Sequence, residues 1–217
     1  MLTPQEAAAG WRLLFDGETT EGWRLYNADA FPAAGWEVID GALVLTAHRG
    51  EPDPDSGGDL VTIESFSDFE LKFEFMLTES ANSGVFYRVL EEEEASIWHN
   101  APEYQVLHDA PYLEAGDMTN HLTGDNYDLH ASGEKALHGP GEWNQGRIRV
   151  KDNRVEHWLN GSMTVAYDLG SPEWEELVAA SKFSAYPRYG RAAEGPIGLQ
   201  DHGNTVSYRN LKILPLK

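Results

Sequence analysis

Two strand-like segments carry side chains that could transfer protons. Glu103 and Gln105 lie two residues apart, so on a strand they project from the same face. Asp201 and His202 end an apolar run, and as neighbours on a regular strand they would face opposite ways. Carboxylates and imidazoles are the usual groups for general acid and base work, and histidine is readily poised near neutral pH. We therefore predict catalytic roles for Glu103 and His202, and ligand-binding roles for Gln105 and Asp201.

The alternatives for these residues are structural. Glu103 and Gln105 would otherwise lie on an exposed strand face, and His202 would be an edge histidine that bonds to backbone. Asp201 and His202 can both serve a site only if the strand has ended or bulged there. One of the two is therefore expected to face the site while the other holds a loop.

A second group of polar side chains crowds a loop that contains a glycine. Its members are His121, Asp125, Tyr127, Asp128 and His130. Aspartate oxygens together with histidine suit a divalent cation such as Ca²⁺, Mn²⁺ or Zn²⁺, although the spacing matches no standard metal motif. We predict His121 and Asp128 as catalytic residues and Tyr127 and His130 as ligand-binding residues. The candidate metal ligands are Glu103, Asp128 and His130, and the alternative is a polar loop rim.

The composition narrows the classes of function. The chain of 217 residues has 36 acidic and 16 basic residues, and its formal net charge of -20 repels nucleic acid. It has no cysteine, which excludes disulfides and thiolate chemistry. No apolar run approaches the length of a membrane span, and the first residues lack the pattern of a signal peptide. Either the protein is cytoplasmic or a leader has been removed.

Short strands and turns dominate the pattern along the chain. Phe69–Met76 alternates strictly and places four apolar side chains on one face. Glu91–Glu94 is predicted to be a solvated loop, with cation binding as the alternative. Hairpin signals of the kind that require positive φ occur at Asp40–Gly41, Asp152–Asn153 and Asn160–Gly161.

The ends of the chain and one internal segment complete the predicted architecture. An apolar strand that ends near Gly203–Asn204 is predicted to turn back into a second strand over Val206–Leu214, which would close an antiparallel sheet. Residues 1–10 are predicted as a lead-in, and Ser171–Ser181 as one short helix, because serine can cap it and proline can start it. Residues 1–217 are therefore predicted to form a single all-β domain, a sandwich of two antiparallel sheets.

A set of short motifs occurs along the chain in one order. They are Phe15-Asp-Gly17, Trp36-Glu-Val-Ile-Asp-Gly41, Gly58-Asp-Leu-Val-Thr62, Phe66-Ser-Asp-Phe-Glu-Leu71, Asn82-Ser-Gly-Val-Phe-Tyr-Arg88, Pro102-Glu-Tyr-Gln-Val-Leu107, Gly141-Glu-Trp-Asn144, His157-Trp-Leu-Asn-Gly161 and Gly198-Leu-Gln-Asp-His-Gly203. Together they resemble the 3-keto-disaccharide hydrolase family of bacteria, from about residue 11 to the C-terminus.

The resemblance implies a concanavalin-A-like jelly roll that binds sugar on the concave face of one sheet. It also implies action on glycosides or disaccharides already oxidised to a ketone at C3, mostly by periplasmic or secreted proteins, with a cytoplasmic location as the alternative. A glucoside 3-dehydrogenase would then act upstream. One departure is His108, where many relatives carry an acid directly after the Gln-x-Leu segment.

A ketone at C3 makes the proton on C2 acidic. A base can remove that proton, the oxygen on C1 then leaves by β-elimination, and water adds to the enone, so that the net result is hydrolysis. The site needs a base, an acid for the leaving group and a group that stabilises the enolate oxygen. The alternatives are a laminarinase-like glycoside hydrolase, which needs two carboxylates about 5–5.5 Å apart, and a non-catalytic carbohydrate-binding module.

Arg88 and Trp98 are further predicted to bind substrate. Arg88 ends the strand that begins at Asn82, and both an ion pair with Glu103 and stabilisation of an oxyanion are open to it. Trp98 lies in a loop and is predicted to stack on a sugar ring. Trp158 lies within an alternating strand and is predicted to belong to the core.

Overall fold

The fold is that of a computed structural model, which describes residues 1–46, 57–92, 95–116 and 120–217. In these ranges the chain forms thirteen strands and three α-helices. The strands build two antiparallel sheets, one of eight strands and one of five, which confirms the predicted all-β sandwich. None of the helices in the described ranges is long and apolar enough to cross a membrane.

The strands divide between the two sheets without following the order of the chain. In chain order they are β1 (Arg12–Leu13), β2 (Trp23–Leu25), β3 (Trp36–Ile39), β4 (Ala42–Leu45), β5 (Leu60–Thr62), β6 (Phe69–Leu77), β7 (Asn82–Phe86), β8 (Glu103–Leu107), β9 (Trp143–Lys151), β10 (Arg154–Leu159), β11 (Ser162–Asp168), β12 (Gly198–Leu199) and β13 (Val206–Pro215). The eight-stranded sheet has the order β11-β10-β9-β6-β13-β4-β3, with β1 paired to β13. The five-stranded sheet has the order β2-β5-β12-β7-β8.

The C-terminal strand β13 lies inside the eight-stranded sheet, between β6 and β4. It does not pair with β12, which belongs to the other sheet, so the predicted reversal at Gly203–Asn204 into a neighbouring strand is wrong. The ladder of β12 ends after Leu199, and the backbone N–H of Asp201 donates to the side chain of Asp59 instead. The turn therefore carries the chain from one layer of the sandwich to the other.

The three predicted hairpin turns have the positive φ that they require. The central residues are Asp40 (49°) and Gly41 (77°), Asp152 (49°) and Asn153 (65°), and Asn160 (47°) and Gly161 (86°). They join β3 to β4, β9 to β10 and β10 to β11, and all three strand pairs are antiparallel. These local signals therefore fixed three strand pairings correctly.

Strand alternation builds the core between the sheets. The side chains of Phe69, Leu71, Phe73 and Phe75 in β6 are all buried, as predicted. Each such burial contributes roughly 1.5–3 kcal/mol relative to exposure. Gly146 of β9 lies opposite Phe73, and a Cβ there would overlap the Phe73 ring, so glycine leaves room for that ring.

Strand β10 turns the opposite face inward from the one that was predicted. Val155, His157 and Leu159 are buried, whereas Trp158 is half-buried on the outer face, so its predicted place in the core is wrong. The His157 Nε2 atom lies 2.9 Å from the Tyr87 hydroxyl. Burial lowers the pKa of His157 to about 3, so the ring is neutral within the core.

The three α-helices are α1 (Pro4–Ala9), α2 (Ala110–Ala115) and α3 (Pro172–Ala180). The hydroxyls of Thr3 and Ser171 accept the capping hydrogen bonds of α1 and α3, in agreement with the predicted lead-in and helix. Helix α2 was not predicted, so the described chain has more helix than the one short segment expected.

Part of the outer face of the five-stranded sheet is also buried. Val61, Phe86, Val89, Ile97 and Ala101 form a small apolar cluster there, next to a 3₁₀ turn over Ile97–His99. A Cβ at Gly198 would lie 2.6 Å from the Cδ1 of Ile97, so glycine at this position allows the 3₁₀ turn to pack closely against the sheet. This covered patch supports the polar residues beside it.

The acidic run is described only at Glu91 and Glu92, because residues 93–94 lie outside the described ranges. Glu91 forms an ion pair with Arg24 at 2.6 Å, and Glu92 forms one with Arg188. Both glutamates are thus paired with arginines from other parts of the chain, instead of standing free in solvent as predicted.

Candidate active site

A polar pocket of about 210 Å³ opens on the outer face of the five-stranded sheet. It is lined by Asn82, Trp98, Glu103, Gln105, Tyr127, Lys182, Gln200 and His202. Asn82 lies on β7, and Glu103 and Gln105 lie on the neighbouring strand β8. The two strands pair in register, with Gly84 opposite Gln105 and Phe86 opposite Glu103. Five residues predicted for the site, from distant parts of the sequence, thus line one pocket.

Glu103 is the buried carboxyl group of the pocket, with 4% of its surface exposed. Burial raises the pKa of Glu103 to about 8; Lys182 opposes the rise and Asp59 adds to it. Within the described residues, its side chain forms no hydrogen bond or ion pair. The group therefore favours the neutral carboxylic acid at pH 7, a form that can donate a proton.

Gly84 makes the position of this carboxyl group possible. A Cβ at residue 84 would lie 2.7 Å from the Cδ of Glu103 and would overlap its Oε1. Any larger residue would push Glu103 away from the sheet. Glycine in the middle of a strand usually marks such a close approach.

Lys182 is the cation of the pocket. It begins the 3₁₀ turn Lys182–Ala185, directly after α3. Its Nζ donates to the Tyr127 hydroxyl at 3.0 Å and lies 4.2 Å from the centroid of the Tyr127 ring. The same Nζ lies 4.8 Å from the Trp98 centroid, so two aromatic rings hold the ammonium group at the pocket wall.

Amide side chains supply the other polar groups. The Oε1 of Gln105 accepts a hydrogen bond from the Val106 N–H at 3.0 Å, which fixes the orientation of this buried amide. The Oδ1 of Asn82 is buried and has no hydrogen-bond partner among the described residues. An unpaired buried acceptor is costly, and a hydroxyl group of a bound ligand would satisfy it.

Asp201 and His202 differ in their contacts: Asp201 bonds to backbone, and His202 faces the pocket. The Asp201 carboxylate accepts hydrogen bonds from the N–H groups of Gly58 (2.7 Å) and Gly203 (2.8 Å). These bonds hold the loop after β12. Asp201 is not among the residues that line the pocket, and its predicted contact with substrate stays a prediction. His202 is exposed and lines the pocket. Burial and the Asp201 charge raise the pKa of nearby Asp59 to about 7.

In the loop after α2, Tyr127 lines the pocket, whereas the predicted catalytic residues His121 and Asp128 lie beside Tyr127 and do not line it. His121 donates from Nε2 to Asp128 Oδ1 at 2.9 Å, and its ring lies 4.6 Å from the Tyr127 ring. Asp128 has a positive φ of 64°. His121 and Asp128 therefore support Tyr127, and neither lines the pocket.

His130 faces the core side of that loop. Its ring stacks on Tyr167 at 4.6 Å, and its Nδ1 accepts from the Asn126 side chain at 2.9 Å. It does not line the pocket, and its predicted contact with substrate stays a prediction. The described residues contain no group of three or more His, Cys, Asp or Glu that could hold a metal ion, and the candidate metal ligands Glu103, Asp128 and His130 are not grouped in this way.

Arg88 is buried at the edge of the sandwich. Its guanidinium donates to the Ser67 carbonyl (2.8 Å) and the Asn153 side chain (2.7 Å), and it pairs with Asp68 at 3.2 Å. Neither of the two roles predicted for it, the Glu103 ion pair and the oxyanion contact, matches this placement. The backbone φ of Arg88 is positive (49°), so the regular strand conformation has ended at this residue.

Three lining residues escaped the sequence analysis. Gln200 lies inside the motif Gly198–Gly203, and its strand position two residues before His202 was a signal that could have found it. Asn82 begins a motif that was recognised as a strand only. Lys182 follows a predicted helix, and nothing in the local pattern connects it to Glu103, because its place in the same pocket depends on how α3 packs.

Comparison with known proteins finds one family across nearly the whole chain. Residues 10–214 match the model of the 3-keto-alpha-glucoside-1,2-lyase-like domain. A 3-keto-disaccharide hydrolase of Bacteroides thetaiotaomicron is 33% identical over 228 residues, which cover 95% of this chain and 78% of that protein.

Solved structures give the same picture of the fold. A candidate glycosyl hydrolase from Parabacteroides distasonis superposes with a TM-score of 0.89 and 33% identity, over 100% of this chain and 99% of that one. A Bacillus subtilis protein of galectin-like fold superposes with a TM-score of 0.57 and 16% identity, over 94% and 93% of the two chains. The latter likeness concerns the fold alone, and it agrees with the predicted jelly roll.

Proposed function

Because this chain belongs to the family of 3-keto-alpha-glucoside-1,2-lyase-like domains, we propose that it cleaves the glycosidic bond of 3-keto-glycosides or 3-keto-disaccharides. The relative from Bacteroides thetaiotaomicron is named for hydrolysis of a 3-keto-disaccharide. The observation that carries the proposal is Glu103, a buried and unpaired carboxyl group with a pKa of about 8, in the same pocket as His202. Elimination next to a ketone needs an acid and a base of this kind.

His202 is proposed as the base that removes the C2 proton. It is exposed at the pocket, so substrate can reach its ring, and the Asp201 loop fixes the backbone beside it. The electrons of the C2–H bond form the C2–C3 double bond of an enolate, and the C3 oxygen takes up negative charge. An imidazole suits this step, because the free nitrogen of its neutral ring can accept a proton.

Lys182 is proposed to stabilise the charge that develops on the C3 oxygen. An ammonium group held between Trp98 and Tyr127 lowers the energy of an enolate more than that of a neutral ketone. The Tyr127 hydroxyl, which accepts from Lys182, retains its own proton to donate.

Glu103 is proposed as the acid for the leaving group. The enolate collapses, the bond between C1 and the glycosidic oxygen breaks, and Glu103 gives its proton to that oxygen. Water then adds to C1 of the enone and a proton returns to C2, so the net reaction is hydrolysis. Burial keeps the Glu103 proton in place at neutral pH, as this role requires.

The size and charge of the pocket bear on the alternatives. Its volume of about 210 Å³ is below the about 300–1,000 Å³ of pockets for drug-sized ligands, so we expect one sugar ring to enter it. A retaining glycosidase of the laminarinase kind would need a second carboxylate about 5–5.5 Å away. Glu103 is the single carboxylate among the described residues that line the pocket, which disfavours that mechanism.

Deuterium exchange at C2 tests the proposal. The protein would be incubated in D₂O with a 3-keto-glucoside and, separately, with its unoxidised parent. We expect cleavage of the keto form alone, with deuterium at C2 of the product. Cleavage of the parent without deuterium at C2 would support a classical glycosidase, and binding without turnover would support a carbohydrate-binding module.

Two variants separate the proposed roles. His202→Gln should lose both exchange and cleavage. Glu103→Gln should retain C2 exchange but lose cleavage of a 3-keto-disaccharide, and a 4-nitrophenyl leaving group, which needs no proton, should restore it. Loss of exchange in Glu103→Gln and its retention in His202→Gln would reverse the two assignments.

We also propose a place for the reaction. A ketone at C3 must be made by oxidation of a secondary alcohol, so a glucoside 3-dehydrogenase would supply the substrate. The family resemblance favours a periplasmic or secreted location, which cell fractionation would test.

A further inference from the structure

A second and larger pocket, of about 340 Å³, lies on the outer face of the eight-stranded sheet. Its lining residues include three cations, two carboxylates, an aromatic ring and an amide: Lys72, Arg147, Lys212, Glu6, Glu74, Trp158 and Asn210. Of the two carboxylates, Glu74 is held by Arg209 at 2.7 Å. It shares no lining residue with the pocket of Glu103 and belongs to the other sheet. The proposed reaction does not use it.

The cations of this pocket form a continuous row across three strands. Lys72 of β6 pairs in register with Arg147 of β9 on one side and with Lys212 of β13 on the other. Trp158 of β10 extends the row, because it lies opposite Arg147. Like charges directly opposite each other on a sheet destabilise it, so fold stability alone favours an alternation of signs here.

The nearby carboxylates neutralise the three cations of the row unequally. Arg147 pairs with Glu70 at 2.8 Å, and Lys212 pairs with Glu6 at 2.8 Å. The nearest carboxylate oxygen to Lys72 is that same Glu6, at 3.8 Å. Lys72 therefore shares an anion that Lys212 already holds, and 38% of its side chain is exposed.

The rest of the pocket has the groups that recognise a sugar. Trp158 offers an aromatic surface, and the Arg147 guanidinium lies 4.9 Å from its ring centroid. Gln145 and Asn210 add amide groups that can bond to hydroxyls. With a net charge of -20 the protein as a whole disfavours anions, so an anionic ligand would bind where cations are locally concentrated, as they are in this row.

We propose that this pocket binds an acidic oligosaccharide, one whose sugar rings carry carboxylates. A carboxylate is placed at Lys72, the cation that shares its anion with Lys212, and an adjoining ring is placed against Trp158. The carboxylate supplies the missing charge in the row, and the protein would thus hold an acidic glycan on the sheet opposite its reaction site.

Titration calorimetry with α-1,4-linked trigalacturonate and with the neutral α-1,4-galactotriose tests this proposal. Trigalacturonate should bind, its affinity should fall as salt rises, and the neutral sugar should bind at least tenfold more weakly. Lys72→Gln and Trp158→Ala should each weaken the binding of trigalacturonate at least tenfold. Arg149→Gln is the matched control, because Arg149 lies on the same face of β9 but does not line the pocket.

The control and the neutral sugar keep the proposal open to refutation. An equal loss in Arg149→Gln would show a diffuse effect of charge and would overturn the site. Equal affinity for both sugars, or no binding of trigalacturonate, would overturn the acidic ligand. Melting temperatures of all variants, measured alongside, separate lost binding from lost fold, and Trp158→Phe replaces Trp158→Ala if the latter does not fold.

Discussion

Glu103 and Glu6 lie on the two outer faces of the sandwich, and the pKa of this same type of side chain is shifted in opposite directions there. Glu6 of α1 lies on the eight-stranded sheet, where hydrogen bonds from Lys212 and the Thr3 backbone lower its pKa to about 2. Glu103 lies on the five-stranded sheet, where burial without a partner raises its pKa to about 8. One carboxyl group is thus kept charged and the other neutral at pH 7.

The difference separates a structural role from a chemical one. On the eight-stranded sheet, carboxylates such as Glu6, Glu70 and Glu74 each meet a cation within hydrogen-bond distance. On the five-stranded sheet, the Asn82 Oδ1 is buried without a hydrogen-bond partner among the described residues, and Glu103 is buried without a cation in an ion pair there. Such groups cost stability, and strongly shifted pKa values cluster at functional sites, which supports the assignment of Glu103 to catalysis.

The largest expected effect comes from Glu103→Gln. It removes the proton of the proposed acid and should lower kcat/KM for a 3-keto-disaccharide about 100- to 10,000-fold, as measured by release of the free sugar. Glu175→Gln is the control. Glu175 is paired with Arg191, and that hydrogen bond lowers the pKa of Glu175. Similar losses in both variants would show that the contrast between paired and unpaired glutamates has no bearing on catalysis.

Gly84→Ala should lower kcat/KM about 100-fold, because a misplacement of about 1 Å at a catalytic group has that order of effect. The new methyl group would displace the Glu103 carboxyl from the sheet. Gly133→Ala is the matched control, because no atom lies within 4 Å of a Cβ there and its φ is not positive. Full activity in Gly84→Ala, with an unchanged alkaline limb of the pH profile, would contradict the close contact between the Glu103 carboxyl group and Gly84.

Lys182→Met should lower kcat roughly 10- to 100-fold. Loss of a buried oxyanion donor costs about 100- to 1,000-fold, and Lys182 is more exposed than such a donor. Because Lys182 lowers the pKa of Glu103, the variant should also shift the alkaline limb of the kcat/KM profile to higher pH. Lys182→Arg should recover part of the rate, and an unshifted profile in Lys182→Met would remove Lys182 from the account.

The smallest effects concern stability and have opposite signs for the two glutamates. The raised pKa of Glu103 means that the folded state binds the extra proton between pH 4.5 and about 8, so stability falls as pH rises through this window. From pH 6 to pH 9, wild type should lose roughly 2–3 kcal/mol of unfolding free energy relative to Glu103→Gln, by about 1.4 kcal/mol per pH unit.

Glu6 should behave in the reverse way. Its lowered pKa contributes stability that is present above pH 4.5 and is lost as pH falls toward about 2. Glu6→Gln should therefore be less stable than wild type at pH 7 and equally stable near pH 2, as measured by denaturant titration. A Glu6→Gln difference that grows as pH falls would contradict the pairing with Lys212.

Much of the architecture was predictable from the sequence because it depends on local signals. The strict alternation of β6 fixed its buried face, and the Asp-Gly and Asn-Gly turns fixed three hairpins. The alternation of β10 misled, since a buried histidine bonded to Tyr87 occupies a core position that polarity alone assigns to solvent. The partner of β13 was also missed, because the choice between sheets is made by contacts distant in sequence.

The candidate site was predictable only where its residues share a strand or a motif. Glu103 and Gln105 were found because their spacing places them on one face, and His202 because it ends an apolar run. Lys182 was missed because tertiary packing alone carries it to Glu103. Arg88 and His130 were predicted to bind substrate from their strand and loop positions, whereas in the structure Arg88 bonds to Asn153 and His130 stacks on Tyr167, outside the residues that line the pocket.

A direct titration of Glu103 tests the central claim, that burial keeps this carboxyl group neutral at physiological pH. Protein labelled with ¹³C at the glutamate carboxyl carbons would be followed by NMR from pH 4 to pH 10, and the spectrum of Glu103→Gln would identify the signal. The account predicts a midpoint near pH 8. A midpoint near the ordinary glutamate value of about 4.3 would contradict it, because Glu103 would then be a carboxylate throughout the working range and could not donate a proton.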